Sequence, residues 1–146
     1  MLKSLIINGI IMGMENAPKD WFKNLTSLQD LDFGDLSSEQ FQVIEMWFKN
    51  DLNCLASIQK ITFTWCSRLK ALPDWICNIS SLQHLKVSGC YHLEDFPEGM
   101  PHLTNLRTLE IIQCPLLIEE CQRETSATRL KIAHIPTIVL QKICWH

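Results

Sequence analysis

Ile79-Ser80-Ser81-Leu82-Gln83-His84-Leu85-Lys86-Val87-Ser88-Gly89-Cys90 decides the fold. In Leu85-Lys86-Val87 apolar and polar residues alternate. An extended chain then sends Leu85 and Val87 to one face and Lys86 to the other. Leu82, three residues earlier, joins the inward set as the chain enters the strand. Past the strand, Cys90, Leu93 and Phe96 turn the chain and fill the unit from its other side. Pro97 ends the turn by fixing φ and removing a donor.

The stretch recurs. Ile58, Leu82 and Leu106 are 24 residues apart, as are Leu55, Ile79 and Leu103. The same step links Ile61, Leu85 and Leu109; Phe63, Val87 and Ile111; Cys66, Cys90 and Cys114; and Leu69, Leu93 and Leu117. Leu72-Pro73 is matched by Phe96-Pro97, and Ile76 by Met100. Two weaker copies precede these. Leu28, Leu31, Phe33 and Leu36, with Leu25 ahead of them, lie 30 residues upstream of their successors, so that copy carries six extra residues. Leu2, Leu5, Ile7 and Ile10 lie 26 residues earlier again.

The pattern L-x-x-L-x-x-L-x-L-x-x-C-x-x-L-x-x-L-P is a leucine-rich repeat. One unit cannot bury its apolar face alone, whereas stacked units share a continuous core, with parallel strands about 4.8 Å apart. The expected fold class is therefore α/β: a leucine-rich-repeat solenoid of about five coils, with a parallel concave β-sheet and an irregular or helical convex side. The expected division places leucine-rich repeats over 1–120 (2–24, 25–54, 55–78, 79–102 and 103–120) and a C-terminal cap or tail over 121–146. Within the longer copy, Phe41, Ile44 and Phe48 lie at helical spacing, and Ser37 with Gln40 suits a capping box. This predicts a convex-side helix over 37–48.

Composition narrows the function. The 146 residues are 47% hydrophobic and 20% charged, with net charge −3, so no electrostatic footprint for nucleic acid is present. No run of 18 apolar residues occurs, so no membrane span is expected. The apolar stretch Leu5 to Met14 has only Lys3 ahead of it, is interrupted by Asn8 and Gly9, and shows no small-residue cleavage site. It reads as a buried strand. Seven cysteines are scattered without a C-x-x-C pair, which points to reduced thiols.

The column Cys66, Cys90 and Cys114 reads as small buried side chains capping backbone carbonyls at the turns, because zinc sites need paired ligand spacings. No metal is expected. The five histidines, including outward His84, stand in no recognisable catalytic relation to a serine, cysteine or acid. With five glycines and no G-x-x-x-x-G-K-[ST] or G-x-G-x-x-G, no phosphate cradle is expected. Asp30, Asp32 and Asp35 lack calcium-loop spacing. The expectation is a protein that is not an enzyme, with no catalytic residue and no cofactor.

What remains is the outward strand face, where equivalent positions stack into columns. These are Gln29, Gln59, Gln83, Arg107; Asp30, Lys60, His84, Thr108; Asp32, Thr62, Lys86, Glu110; and Asp35, Trp65, Gly89, Gln113. The candidate partner-binding residues are Asp30, Asp32, Lys60, Thr62, Trp65, His84, Lys86, Arg107 and Glu110. Mixed charge favours a protein partner over nucleic acid. Trp65 reads equally as an exposed interface anchor or as a ring packed on a neighbouring coil.

These repeats resemble the C-terminal leucine-rich repeats of plant intracellular disease-resistance proteins, the nucleotide-binding leucine-rich-repeat immune receptors. The resemblance rests on the 79–90 stretch continuing to Phe96-Pro97, and on the lead segment Trp21-Phe22-Lys23-Asn24-Leu25-Thr26-Ser27-Leu28. The tail is similar to the coiled-coil-bearing branch through Cys114-Pro115, Leu117, Cys121, Glu124-Thr125 and 131–136. It departs at Ser126 and Arg129, where the family usually has glycine and tryptophan, which implies a cap that fits less well.

The resemblance implies a cytoplasmic role in plant defence. The protein partner would be a pathogen effector, a host guarded protein or the receptor's own nucleotide-binding domain, whose switch the repeats would restrain. Coiled-coil heptads and a phosphate loop are missing, and the chain begins within a repeat, with Leu5, Ile6 and Ile7 on an uncapped edge. A fragment or truncated relative is therefore expected. The alternative is a substrate-recognition adaptor for ubiquitin ligation, which would carry a helical ligase-binding box that is not visible.

Leu85→Asp is expected to unfold the chain, because a buried unpaired charge costs several kcal/mol against a total stability of roughly 5–15 kcal/mol. Lys86→Glu is expected to melt like the parent. Thermal denaturation followed by circular dichroism decides it: equal melting of all three would reverse the inward and outward assignment.

Overall fold

The structure is a computed structural model that describes residues 3–9, 26–49 and 55–142, with the side chains of 47–49 excepted. The sequence readings at Leu2, 10–25, Phe48, Cys54, Cys144 and His146 lie outside them.

The chain is α/β and built on a six-stranded, all-parallel sheet whose strand order follows the sequence. Its strands are β1 Ser4–Asn8, β2 Asp30–Gly34, β3 Lys60–Thr64, β4 His84–Ser88, β5 Thr108–Ile112 and β6 Thr137–Gln141. The helices are α1 Ser38–Lys49, α2 Pro115–Gln122 and α3 Ala127–Ile132. Short 3-10 turns at Asp74–Asn78 and Met100–His102 connect β3 to β4 and β4 to β5.

Register is continuous across the sheet. Leu5, Leu31, Ile61, Leu85, Leu109 and Ile138 form one row. Ile7, Phe33, Phe63, Val87, Ile111 and Leu140 form the next. In β2 to β5 both rows are buried, and the residues between them are exposed or half-buried. Burying rows of Leu, Ile, Val and Phe side chains, each worth about 1.5–3 kcal/mol, is the main drive for the layer.

The alternation thus holds the expected faces. β6 falls within 121–146, for which the sequence carries no strand signal. Ile138-Val139-Leu140 is continuously apolar, so it lacks the period-two signal of the other strands.

Helix α1 starts as its sequence predicts. The Ser37 N–H donates to Gln40 Oε1 at 2.9 Å, and the Gln40 N–H donates to Ser37 Oγ at 3.3 Å, which is a reciprocal capping box. Phe41 and Ile44 are buried. The Phe41 ring lies 5.4 Å from Phe33 and 5.6 Å from Phe63, and Trp75 meets Phe33 at 5.8 Å. These rings fill the space that the longer connection between β2 and β3 opens.

Lateral polar bonds tie successive units before each strand. Ser57 Oγ donates to Thr26 O at 2.8 Å, Ser81 Oγ to Ile58 O at 2.6 Å, and Asn105 Nδ2 to Ser80 O at 2.8 Å. After β3, β4 and β5, cysteine thiols bond within their own turn: Cys114 Sγ donates to Ile112 O at 3.4 Å, and Cys66 and Cys90 reach Thr64 O and Ser88 O at 3.7 Å. Cys66 and Cys114 also reach the preceding unit, at Phe33 O (3.9 Å) and Val87 O (3.7 Å).

At the C-terminal end, Pro115 occupies the first turn of α2, where its missing N–H costs nothing. Ser126, at one of the departures from the resembled family, caps α3 by accepting from the Thr128 N–H at 3.1 Å. Its hydroxyl donates to Glu120 Oε2 at 3.1 Å and so joins α3 to α2. From α3, buried Lys131 reaches back to the segment after β4. It bonds Asp95 Oδ2 at 2.9 Å, Glu98 Oε1 at 2.9 Å and Phe96 O at 3.0 Å. Thr128 Oγ1 donates to Asp95 Oδ1 at 2.8 Å. No helix among the described residues is long and apolar enough to cross a membrane.

This clasp sets a pH dependence. Burial alone would raise the Asp95 carboxyl, but hydrogen bonds from Lys131, Thr128 and the Phe96 N–H outweigh it and hold it below its ordinary 3.8. Burial would likewise lower Lys131, but Glu98 and Asp95 raise it above 10.5. The Asp95 contribution is present above pH 3.8 and lost as pH falls through the depressed value; the Lys131 contribution is present below 10.5 and lost above it.

Lys131→Met is expected to cost about 1–3 kcal/mol near neutrality, below the cost of breaking a fully buried pair because both carboxylates keep water contact. The variant should also lose less stability than the parent as pH falls below 3.8. Urea denaturation at several pH values checks both, and a parent-like acid slope would remove the clasp from the stability of the fold.

Candidate interaction face

The polar side of the sheet takes its geometry from the register. Asp30, Lys60, His84 and Thr108 stand side by side on β2 to β5. Asp32, Thr62, Lys86 and Glu110 form the parallel row two residues on. Neighbours in a row are about 4.8 Å apart, and the rows are about 6.7 Å apart. Seven of the nine sequence-predicted residues lie within the strands and share one face; Arg107 is exposed just ahead of β5. Trp65 sits at the far rim, after β3.

Charge along the face changes sign. β2 presents Asp30 and Asp32, β3 and β4 present Lys60, His84 and Lys86, and β5 presents Glu110. Half-buried Asp32 registers this field. Desolvation raises its carboxyl above 3.8, and Lys60 and Lys86 partly offset the rise. The carboxylate is thus incompletely solvated before any partner arrives, which lowers the additional desolvation that a contact requires.

The rim row differs from its sequence reading as plain outward positions. Asp35, Trp65, Gly89 and Gln113 all adopt left-handed backbone, with φ of 53°, 57°, 70° and 55°. Each turns its N–H onto the next strand: to Thr64 O at 2.9 Å, Ser88 O at 2.8 Å, Ile112 O at 3.0 Å and Gln141 O at 2.9 Å. The left-handed turn is how β2 to β5 close their last rungs.

Trp65 is at once exposed and packed on a neighbouring turn. Its side chain is 49% exposed. Its ring also lies on Gly89, where an added Cβ would fall 2.5 Å from Cε3. Tyr91, 41% exposed, sits beside it at 6.0 Å between centroids. Sequence reasoning missed Tyr91. Its one available signal was an aromatic residue directly after the Cys90 column position.

Thiol chemistry at the same turns is subdued. Cys66, Cys90 and Cys114 are fully buried. The Cys90 thiol bonds both neighbours and is held strongly protonated, while those bonds lower Cys66 and Cys114. Burial pushes Cys77 and Cys121 up to about 11. Among the described residues, no group of three His, Cys, Asp or Glu is placed to hold a metal ion.

Gly89→Ala must displace the Trp65 ring and adds a Cβ at positive φ, an expected loss of about 1–2 kcal/mol. Trp65→Ala removes a half-exposed ring and is expected to cost less than the glycine change. Guanidinium denaturation with near-ultraviolet circular dichroism compares them, and equal stability of Gly89→Ala and parent would show that the ring does not rest on Gly89. No family model, no curated protein and no solved structure matches the chain.

Proposed function

We propose that the chain is a leucine-rich-repeat solenoid of about five coils whose outward strand face recognises another protein, in the manner of the recognition region of a plant intracellular immune receptor. The observation that carries this reading is the face itself. Charged and polar side chains stand in register on a parallel sheet and end at the exposed Trp65–Tyr91 pair. The 24-residue step linking Ile61, Leu85 and Leu109 supports the solenoid. Strand positions fixed by neighbouring units are preordered, so a partner that docks on them loses little side-chain and backbone freedom on the receptor side.

The alternating sign of the rows suits a protein surface with complementary charges better than the uniform charge of a nucleic acid. Trp65 supplies the apolar anchor and the charged rows supply orientation. The reading places the protein in the cytoplasm, in defence signalling, as a recognition surface without catalysis. The partner is an effector, a guarded host protein or the nucleotide-binding domain of the receptor.

The test is affinity capture from leaf extract with the parent and a variant carrying Trp65→Ala, Lys86→Glu and Glu110→Lys. All three changes are on the outward side and should leave the far-ultraviolet spectrum unchanged. A partner held by the parent and lost by the variant supports the reading. With that partner purified, Trp65→Ala alone should weaken binding about 30-fold, the equivalent of a 2 kcal/mol hot spot. Equal capture by parent and variant, or capture by neither, overturns the assignment of this face.

A further inference from the structure

We propose that the outward face takes an α-helix of a partner protein, laid across β2 to β5, whose contacting side carries basic, acidic, acidic and basic side chains in that order. The proposal rests on the recognition reading and adds what that reading leaves open: the shape of the contacting segment and the order of its charges.

The sheet register writes this order. Asp30 and Asp32 make β2 negative, Lys60 makes β3 positive, Lys86 makes β4 positive and Glu110 makes β5 negative. His84, on β4 with Lys86, adds no opposing sign in either protonation state. Arg107, ahead of β5, lies three residues from Glu110, about 10 Å along the strand and beyond the strip.

These charges do not neutralise one another. Lys86 and Glu110 are register partners on adjacent strands. Yet among the described residues the ion pairs lie at the C-terminal end, where Arg123 and Lys131 meet the carboxylates around them. On the face, Asp30 takes a hydrogen bond from Ser4 Oγ at 3.4 Å. The signs of the strip are therefore presented outward, to whatever lies across it.

Spacing selects the occupant. Adjacent strands are about 4.8 Å apart, so β2 to β5 place their signs at about 0, 5, 10 and 14 Å. A helix rises about 1.5 Å per residue, so positions i, i+4, i+7 and i+11, which share one side, stand at about 0, 6, 10.5 and 16.5 Å. Each position answers one strand to within about 2 Å, a gap that lysine and glutamate side chains bridge. An extended segment sends alternate residues to one side about 6.7 Å apart. It places three residues over four strands, so a single acidic residue would serve both lysines. The helix brings one counter-charge to each strand. Its steps of four, three and four read alike from either end, so the same order serves both chain directions.

Two stapled, alanine-based helices test the order at constant composition. The first carries lysine at i, glutamate at i+4 and i+7, and lysine at i+11. The second exchanges the last two and reads lysine, glutamate, lysine, glutamate. The protein is used as the parent and as the double variant Lys86→Glu/Glu110→Lys, which keeps the net charge at −3 and inverts the signs of β4 and β5. Amide NMR titrations at low salt are expected to show the parent binding the first helix about tenfold more tightly than the second, because two exposed pairs change from attraction to repulsion. The double variant should show the reverse preference. Both preferences should vanish at about 1 M salt, where the screening length is about 3 Å.

No preference in the parent, or the same preference in both proteins, overturns the proposal. Tighter binding of an extended peptide with lysine, glutamate and lysine at alternate positions overturns it too. An unfolded variant cannot reverse the preference, and the preference of the parent tests the order without it. Affinity capture separates this failure from failure of the recognition reading. A partner held through Trp65, Lys86 and Glu110 while both helices bind alike leaves the face as a recognition surface and removes only this occupant.

Discussion

Register between parallel strands is the constraint on which the rest of the structure depends. Side chains alternate with period two, so a slip of one residue would turn every inward residue to solvent. The chain holds one phase by fastening each unit on both sides of its strand. Ser57, Ser81 and Asn105 bond to the preceding unit before the strand begins. The left-handed residues Asp35, Trp65, Gly89 and Gln113 close the last rung where it ends. Additional length is accommodated away from this ladder. The longer connection between β2 and β3 folds as α1 and packs its aromatic side onto Phe33 and Phe63, while Phe33 and Phe63 remain paired.

The same constraint explains why the cysteines serve structure. Each thiol sits just past a strand, where a small side chain with a weak donor reaches a backbone carbonyl that already accepts the N–H of the neighbouring rim residue. A larger side chain would collide with the adjacent unit, and a charged one would be stranded in the core. Cys90, between two other thiols, keeps its proton because it shares it with Cys114 and Cys66, and burial adds to the effect. Reactive cysteines need an electropositive and accessible setting, and this column has neither.

What the sequence made legible follows from what repeats. Inward positions of β2 to β5 recur at fixed steps, so the faces could be read from Leu31, Ile61, Leu85 and Leu109 alone. The α1 cap was legible because Ser37 and Gln40 act locally. Features made once, by residues distant in the chain, were not legible. Lys131 reads as a surface lysine until α3 folds back and brings it to Asp95 and Glu98. β6 has no lead motif and no alternation, and it becomes a strand because β5 offers it an edge. At the candidate site the rows were legible from spacing, but the Trp65–Tyr91 pair was not. It depends on the absence of a side chain at Gly89, which opens the space the Trp65 ring occupies.

A parallel sheet offers two kinds of surface, and this chain differentiates them by residue type. Its outward face is charged through the middle, where Asp32, Lys60, Lys86 and Glu110 are held by neighbours on both sides. Its outer strands are aliphatic, with Ile6 and Val139 where the middle has charge. A partner on the face would meet side chains whose positions the ladder fixes, so its contacts would be selective and sensitive to charge reversal. Contacts on an edge depend on backbone groups that every strand shares, so only the flanking side chains confer selectivity. An exposed aliphatic residue gains nothing at the centre of a charged row, where it would leave a neighbouring charge unpaired. At Ile6 and Val139 it stands beside Asp32 and Glu110 on one side only, so it interrupts no run of charged neighbours.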